Sequence, residues 1–157
     1  MGNFCRFSKR IAAVGAAMVL LSLGAMAELG GTVQTVQADQ QKLQGTRTVI
    51  ARTAYQVHEI KTPTNAVVRE FVAPNGKVFA VTYEGRFPGE SNAILGAYSS
   101  QIAAAKQATP GHAHVAGTVH LESGYLRYRA AGHLGYFSMR ALVSNAVPSG
   151  VTMEEIQ

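Results

Sequence analysis

The chain has one cysteine, no tryptophan and only 15% charged residues in a length of 157. Its thiol, Cys5, lies in an N-terminal stretch that reads as an export signal, so the mature protein is expected to have no disulfide, thiolate nucleophile or cysteine zinc site. About a quarter of an average soluble protein is charged. A content this low disfavours enzymes built on carboxylate clusters and nucleic-acid binders built on basic stripes. The chain also lacks an apolar run of the ~20 residues that a bilayer-spanning helix needs, so no stable transmembrane anchor is expected. The remainder is 47% apolar and 8% aromatic, which suits one small globular domain rather than a polytopic membrane protein or a disordered acidic tail.

Residues 1–27 have the three parts of a secretory signal. Arg6, Lys9 and Arg10 form a positive start, Ile11 to Leu23 an apolar run, and Ala25-Met26-Ala27 a small-x-small cleavage site, so the mature chain is expected to begin at Glu28. Ser8-Lys9-Arg10 lacks the second arginine of a twin-arginine signal, which favours ordinary unfolded-state export. Removing the signal takes away three of the 14 basic residues and none of the nine acidic ones, leaving a net charge of +2. The sequence pI of 9.6 is therefore largely a property of the signal, and no nucleic-acid partner is implied.

In the mature chain, residues 28–53 carry no aromatic residue and five glutamines, and read as an N-terminal tether or short helix with Val33, Val36 and Leu43 on one stripe. A single α+β domain is expected over 54–157. Tyr55 to Ile60, Val67 to Val72 and Lys77 to Tyr83 read as a three-stranded meander, its second turn Ala73-Pro74-Asn75-Gly76 suited to a bulged hairpin. Ser91 is placed to cap a helix over Asn92 to Gln107, with Leu95, Tyr98, Ile102 and Ala105 as its core face and Thr109-Pro110-Gly111 as its stop. A second β region follows: Val115 to Glu122, Tyr125 to Ala130, and Tyr136 to Val143. The fold class expected is thus α+β, with antiparallel strands in two β regions flanking one main helix.

With Ser123-Gly124 as the turn of the second hairpin, Leu121 faces Leu126 and Val119 faces Tyr128 on the core side. His120 then faces Arg127, and Thr118 faces Arg129, on the solvent side. The chain closes on Pro148-Ser149-Gly150 and a Thr152-x-x-Glu155 capping turn.

These residues resemble the exported bacterial family known as domain of unknown function 2844. The resemblance covers most of the mature chain. It rests on Leu29-Gly30-Gly31, Val36-Gln37-Ala38-Asp39, Tyr55-x-Val57-x-Glu59, Val68-Arg69-Glu70-Phe71-Val72 and Gly76-x-Val78-Phe79-Ala80-Val81. It continues through Leu95-Gly96-x-Tyr98, Gly132-His133-Leu134-Gly135, Arg140-Ala141 and Pro148-x-Gly150-Val151. Two places depart from the family pattern: Thr82-Tyr83-Glu84-Gly85-Arg86 replaces Ser-Trp-x-Gly-Pro, and Asn92-Ala93 replaces Pro-Asp. The resemblance implies a periplasmic or secreted protein of Gram-negative type and implies no activity.

Chemical motifs are few. His112 and His114 point the same way on an extended chain, but His120 lies ~20 Å further along it, so two ligands do not become a metal site. There is no Gly-x-Ser-x-Gly elbow, His-Glu-x-x-His or phosphate loop. Glu59, Glu70 and Glu122 lie in strands near basic residues and read as cross-strand charge pairs rather than glycosidase carboxylates.

The sharpest feature is the polar side of the second hairpin. There Arg127, Arg129 and His120 stand together, Glu122 lies diagonal to Arg127, and Arg140 joins them if Tyr136 to Val143 is the next strand. Guanidinium forks hold phosphate or carboxylate bidentately. His133, in a glycine-flanked corner, is a candidate contact residue.

The function expected is therefore a non-enzymatic exported binding or envelope-accessory module, its partner an envelope protein or a small anionic ligand, with no cofactor. The rival is a small hydrolase or transferase using His133 or His120 with arginines, and the two are told apart by whether those side chains converge in one concave pocket. A third class is a partner-docking protein that offers a sheet edge.

Overall fold

A computed structural model describes residues 29–86, 88–108, 118–133 and 135–156. The expected export signal, His112, His114 and the start of the expected strand at Val115 lie outside them. The strands are β1 (Thr46–Ala51), β2 (Gln56–Lys61), β3 (Val67–Val72), β4 (Val78–Gly85), β5 (Thr118–Ser123), β6 (Leu126–His133) and β7 (Tyr136–Val143). All seven belong to one antiparallel sheet in the order β1-β2-β3-β4-β7-β6-β5. Among the described residues three helices accompany it, α1 (Val33–Lys42), α2 (Pro88–Ala93) and α3 (Tyr98–Ala108), with short 3-10 turns at Ser144–Ala146 and Met153–Glu155.

This corrects the expected architecture of two β regions flanking one main helix. The regions fuse because β7 pairs with β4, from Ala80 opposite Leu142 to Gly85 opposite Phe137. The single helix over 92–107 is two short ones. Gly96, at φ +53°, sits between them in a conformation that no helix interior adopts. The apolar spacing still marks the inward face: Leu95 and Ile102 are buried and Tyr98 is half-buried.

Residues 29–53 are not a tether; of the two expected forms the short helix is the one observed, as α1, with Val36 buried and Val33 and Leu43 packed against the core. Leu29 and Val36 lie in the core, and the Gly30 N–H donates to the Val78 carbonyl at 2.8 Å. Val78 N–H in turn donates to the Gly31 carbonyl at 2.9 Å, which ties the start of α1 to β4. The segment ends in β1, an edge strand without aromatic residues and mostly exposed, so it carries little of the hydrophobic signal of a strand.

The β3–β4 hairpin forms as expected. Ala73 N–H donates to Lys77 O at 2.9 Å, Gly76 takes φ +79°, and the register shifts between Phe71 and Val72, as a bulged turn requires. The β5–β6 register differs from expectation. Ser123 pairs with Leu126, so Gly124-Tyr125 is the turn, with Gly124 at φ +57° in its first central position. Leu121 therefore opposes Tyr128, Val119 opposes Ala130, His120 opposes Arg129, Thr118 opposes Ala131, and Glu122 opposes Arg127. The turn has moved by one residue and each partner by two. Because side chains alternate with period two, each keeps its expected face.

Two apolar clusters cover the sheet. On one face Ile60, Val68, Val81, Tyr83, Met139 and Tyr128 pack with Val36, Ile94, Leu95 and Ile102 from the helical segments. On the other face Val57, Phe71, Ala80 and Leu142 pack with Tyr55, Phe79 and the C-terminal Ile156. Beside this second cluster a row of directly opposed residues crosses all seven strands: Thr48, Glu59, Arg69, Thr82, Arg140, Arg129 and His120.

Candidate anion site on the open sheet face

The arginines of this row are aimed by simple alternation. In β6, Leu126, Tyr128 and Ala130 are buried under the helical face, which turns Arg127 and Arg129 outward on the other side. In β7, buried Met139 and Ala141 do the same for Arg140. Arg129 stands between His120 on β5 and Arg140 on β7, directly opposed to both.

Charge matching along the face is uneven. Arg69 Nε donates to Glu59 Oε2 at 2.9 Å and its Nη1 lies 3.6 Å from Glu84. Arg127 lies 3.6 Å from Glu122, both side chains well exposed. Arg140 Nη1 donates to the Met153 carbonyl at 3.3 Å, and Arg129 makes no ion pair among the described residues. Of the four arginines Arg69, Arg127, Arg129 and Arg140, the two without a carboxylate partner among the described residues are thus the two placed opposite each other, an arrangement that costs stability when nothing lies between the charges.

Two hollows meet at this pair. A groove of about 400 Å³ is walled by His120, Arg127, Arg129, Arg140 and Met153, with the carboxylates of Glu122 and Glu154 also along it. A smaller hollow of about 200 Å³ lies on the other side, against Thr82, Glu84, Arg129, Ser138 and Arg140. Thr82 is 4% exposed, and its hydroxyl has no hydrogen-bond partner among the described residues. Four of the expected site residues, His120, Arg127, Arg129 and Arg140, therefore line one groove.

His133 does not join them. It shares their face but lies four residues along β6 from Arg129, ~13 Å at the usual strand rise, with its ring stacked on Tyr136 at 5.6 Å between centroids. Among the described residues no group of three His, Cys, Asp or Glu side chains is placed to hold a metal ion.

Glu59 and Glu122 are cross-strand charge partners as expected, although Glu122 lies directly opposite Arg127 rather than diagonal to it. Glu70 is not such a partner. It faces the helical side, opposite His58 on β2, and it is 1% exposed. Burial pushes its carboxyl well above the usual range; the Asp39 carboxyl of α1 adds to this and Arg47 opposes it. Burial, assisted by Arg47, holds the His58 imidazole below its ordinary value.

The sequence reading missed Thr82 as a site residue because it sits in a strand whose neighbours are apolar. It also missed a hollow of about 740 Å³ floored by Ile50, Tyr55, Val57 and Phe71, with Arg52 and Glu154 on its rim. That hollow is built from β1, β2, β3 and the C-terminal segment, which only the tertiary fold brings together.

Residues 25–156 match the model of the family described as Protein of unknown function (DUF2844). No curated protein and no solved structure matches the chain. The matched span takes in every strand and helix of the sheet, so the chain belongs to the DUF2844 family, whose function is unknown.

Proposed function

We propose that the protein is an exported, periplasmic module that binds a small anion without transforming it. One observation carries this reading: Arg129 and Arg140 oppose each other on an open sheet face, neither with a carboxylate partner, and hollows adjoin them on both sides. An anion seated between them offsets their mutual repulsion and accepts from two guanidinium forks. Export is supported by the Arg6 to Ala27 signal pattern.

Although His120 converges with the arginines in one groove, binding is favoured over hydrolysis because none of the hydroxyl, thiol or amine nucleophiles Ser, Thr, Cys and Lys lines that groove among the described residues. Ser138 lies two strands away, ~10 Å at the usual spacing.

The test is thermal unfolding in phosphate, sulfate or citrate against chloride at equal ionic strength. A ligand that binds only the folded state raises the midpoint. At least one of these anions should do so for the parent and not for Arg129→Ala, whose own midpoint in chloride should stay close to the parent's because the side chain is exposed. Equal shifts in the parent and in Arg129→Ala, as general exclusion of these salts from the surface produces, would overturn the reading.

A further inference from the structure

The donors at the Arg129–Arg140 pair do more than attract negative charge. They come from three adjacent strands, β4, β7 and β6, at the directly opposed positions Thr82, Arg140 and Arg129. The outer two lie ~10 Å apart at the backbone, and the long guanidinium stems close that gap from one side. Thr82 is short, fixed in a central strand and 4% exposed; the residue lines the 200 Å³ hollow, and its hydroxyl, itself buried, has no partner among the described residues. A buried hydroxyl left unbonded costs free energy, which a ligand oxygen in the hollow would recover. Ser138 borders the same hollow with a weak 3.4 Å donation to the Ala131 carbonyl, so its hydroxyl is easily redirected. The one carboxylate at this hollow, Glu84, is engaged by Arg69 at 3.6 Å.

We infer that the anion is a phosphate group, seated in the hollow between Arg129 and Arg140 with the Thr82 hydroxyl as its third donor. This rests on the anion-binding reading above and narrows it. A planar carboxylate offers two oxygens in one plane, a shape that one guanidinium fork already matches. A phosphate presents three or more terminal oxygens pointing apart, which matches two forks and a hydroxyl arriving from different strands. The 400 Å³ groove on the far side of the same arginines leaves room for the organic part of a phosphate monoester, with His120 and Met153 along its wall.

The experiment is titration calorimetry of the mature protein with inorganic phosphate, glycerol 3-phosphate and citrate at constant ionic strength, on the parent, Thr82→Val and Arg129→Lys. Valine keeps the shape of threonine and removes a buried hydroxyl that has no partner in the fold, so Thr82→Val should fold and unfold at the parent's midpoint or above it. It should bind phosphate about tenfold more weakly, the loss expected for one good hydrogen bond. Arg129→Lys keeps the charge at an exposed position, loses the fork, and should weaken phosphate to a similar degree, about tenfold. Citrate should bind the parent more weakly than phosphate and be unchanged by Thr82→Val.

Tighter binding of glycerol 3-phosphate than of inorganic phosphate assigns an ester as ligand; equal binding assigns the free ion. Citrate binding as tight as phosphate, with Thr82→Val without effect on either, would overturn the phosphate assignment and leave the anion reading standing. No binding of any of the three to the parent would overturn both.

Discussion

At the scale of single residues, the most consequential group outside the anion site is Glu70. It lies on β3 under α1, with Asp39 above it, His58 directly opposite on β2, and Arg47 nearby on β1. Its carboxyl titrates well above the ordinary range, first because burial penalises its charge and then because Asp39 shares its surroundings. A raised value means that the folded state holds the proton more tightly than the unfolded one. The stabilisation is complete below the unfolded value and is lost as pH rises through the folded value. His58, held low, acts in the opposite sense and loses its contribution as pH falls below its unfolded value. Glu70→Gln keeps the shape and removes the charge, so urea unfolding from pH 4.5 to 9 should show the parent losing stability with rising pH and the variant losing less. Parallel curves would mean that Glu70 titrates as it does in the unfolded chain. Nothing in the local sequence sets Glu70 apart from Glu59. Both flank Arg69 in space or sequence, and only strand parity and the arrival of α1 send one to the open sheet face and the other to the core.

At the scale of elements, alternation predicts well and turns predict less well. The turn of the β5–β6 hairpin was expected one residue early, yet every side chain of the pair kept its face, since a two-residue change of partner preserves parity. The helix over 92–107 was legible as a stripe, not as a length, because Gly96 ends it in the left-handed region. Its buried contact Ile102 is 3% exposed, so Ile102→Ala should cost ~2 to 5 kcal/mol in chemical denaturation, as core truncations do. A loss below ~0.5 kcal/mol would place the residue in the surface class. The entry to β1 makes a second test. A methyl group on Gly45 would run into Ile60 Cγ2 and lie 2.9 Å from the Lys61 carbonyl, so Gly45→Ala should lose ~1 to 3 kcal/mol through overpacking. Unchanged stability would show that the edge strand yields to make room.

At the scale of the whole molecule, the sheet has two unlike faces. One is closed by α1, α2 and α3; the other is closed only in part, by the C-terminal segment ending at Ile156, and it leaves the His120 and Arg129 end of the polar row exposed beside it. The proposed site exists because that second cover is incomplete. Export is tested at the same scale. N-terminal sequencing of material recovered from the periplasm should begin at Glu28, after the Ala25 and Ala27 positions that a signal peptidase reads. Intact chain that begins at Met1 and sediments with membranes would contradict this.

What the sequence determined by itself is whatever depends on neighbours one to four residues away. This covers the strand segments of the meander and of β6 and β7, the bulged turn at Pro74-Asn75-Gly76, the outward set of Arg127, Arg129 and His120, and the family motifs in order. What only the tertiary structure decided depends on chain segments far apart. The pairing of β7 with β4 turned two β regions into one sheet and set Thr82 beside Arg140; the docking of residues 29–51 turned an apparent tether into core and edge. The physical reason is that periodicity fixes the side to which a residue points, whereas the strand lying beside it is selected by long-range burial, which leaves no local pattern to read.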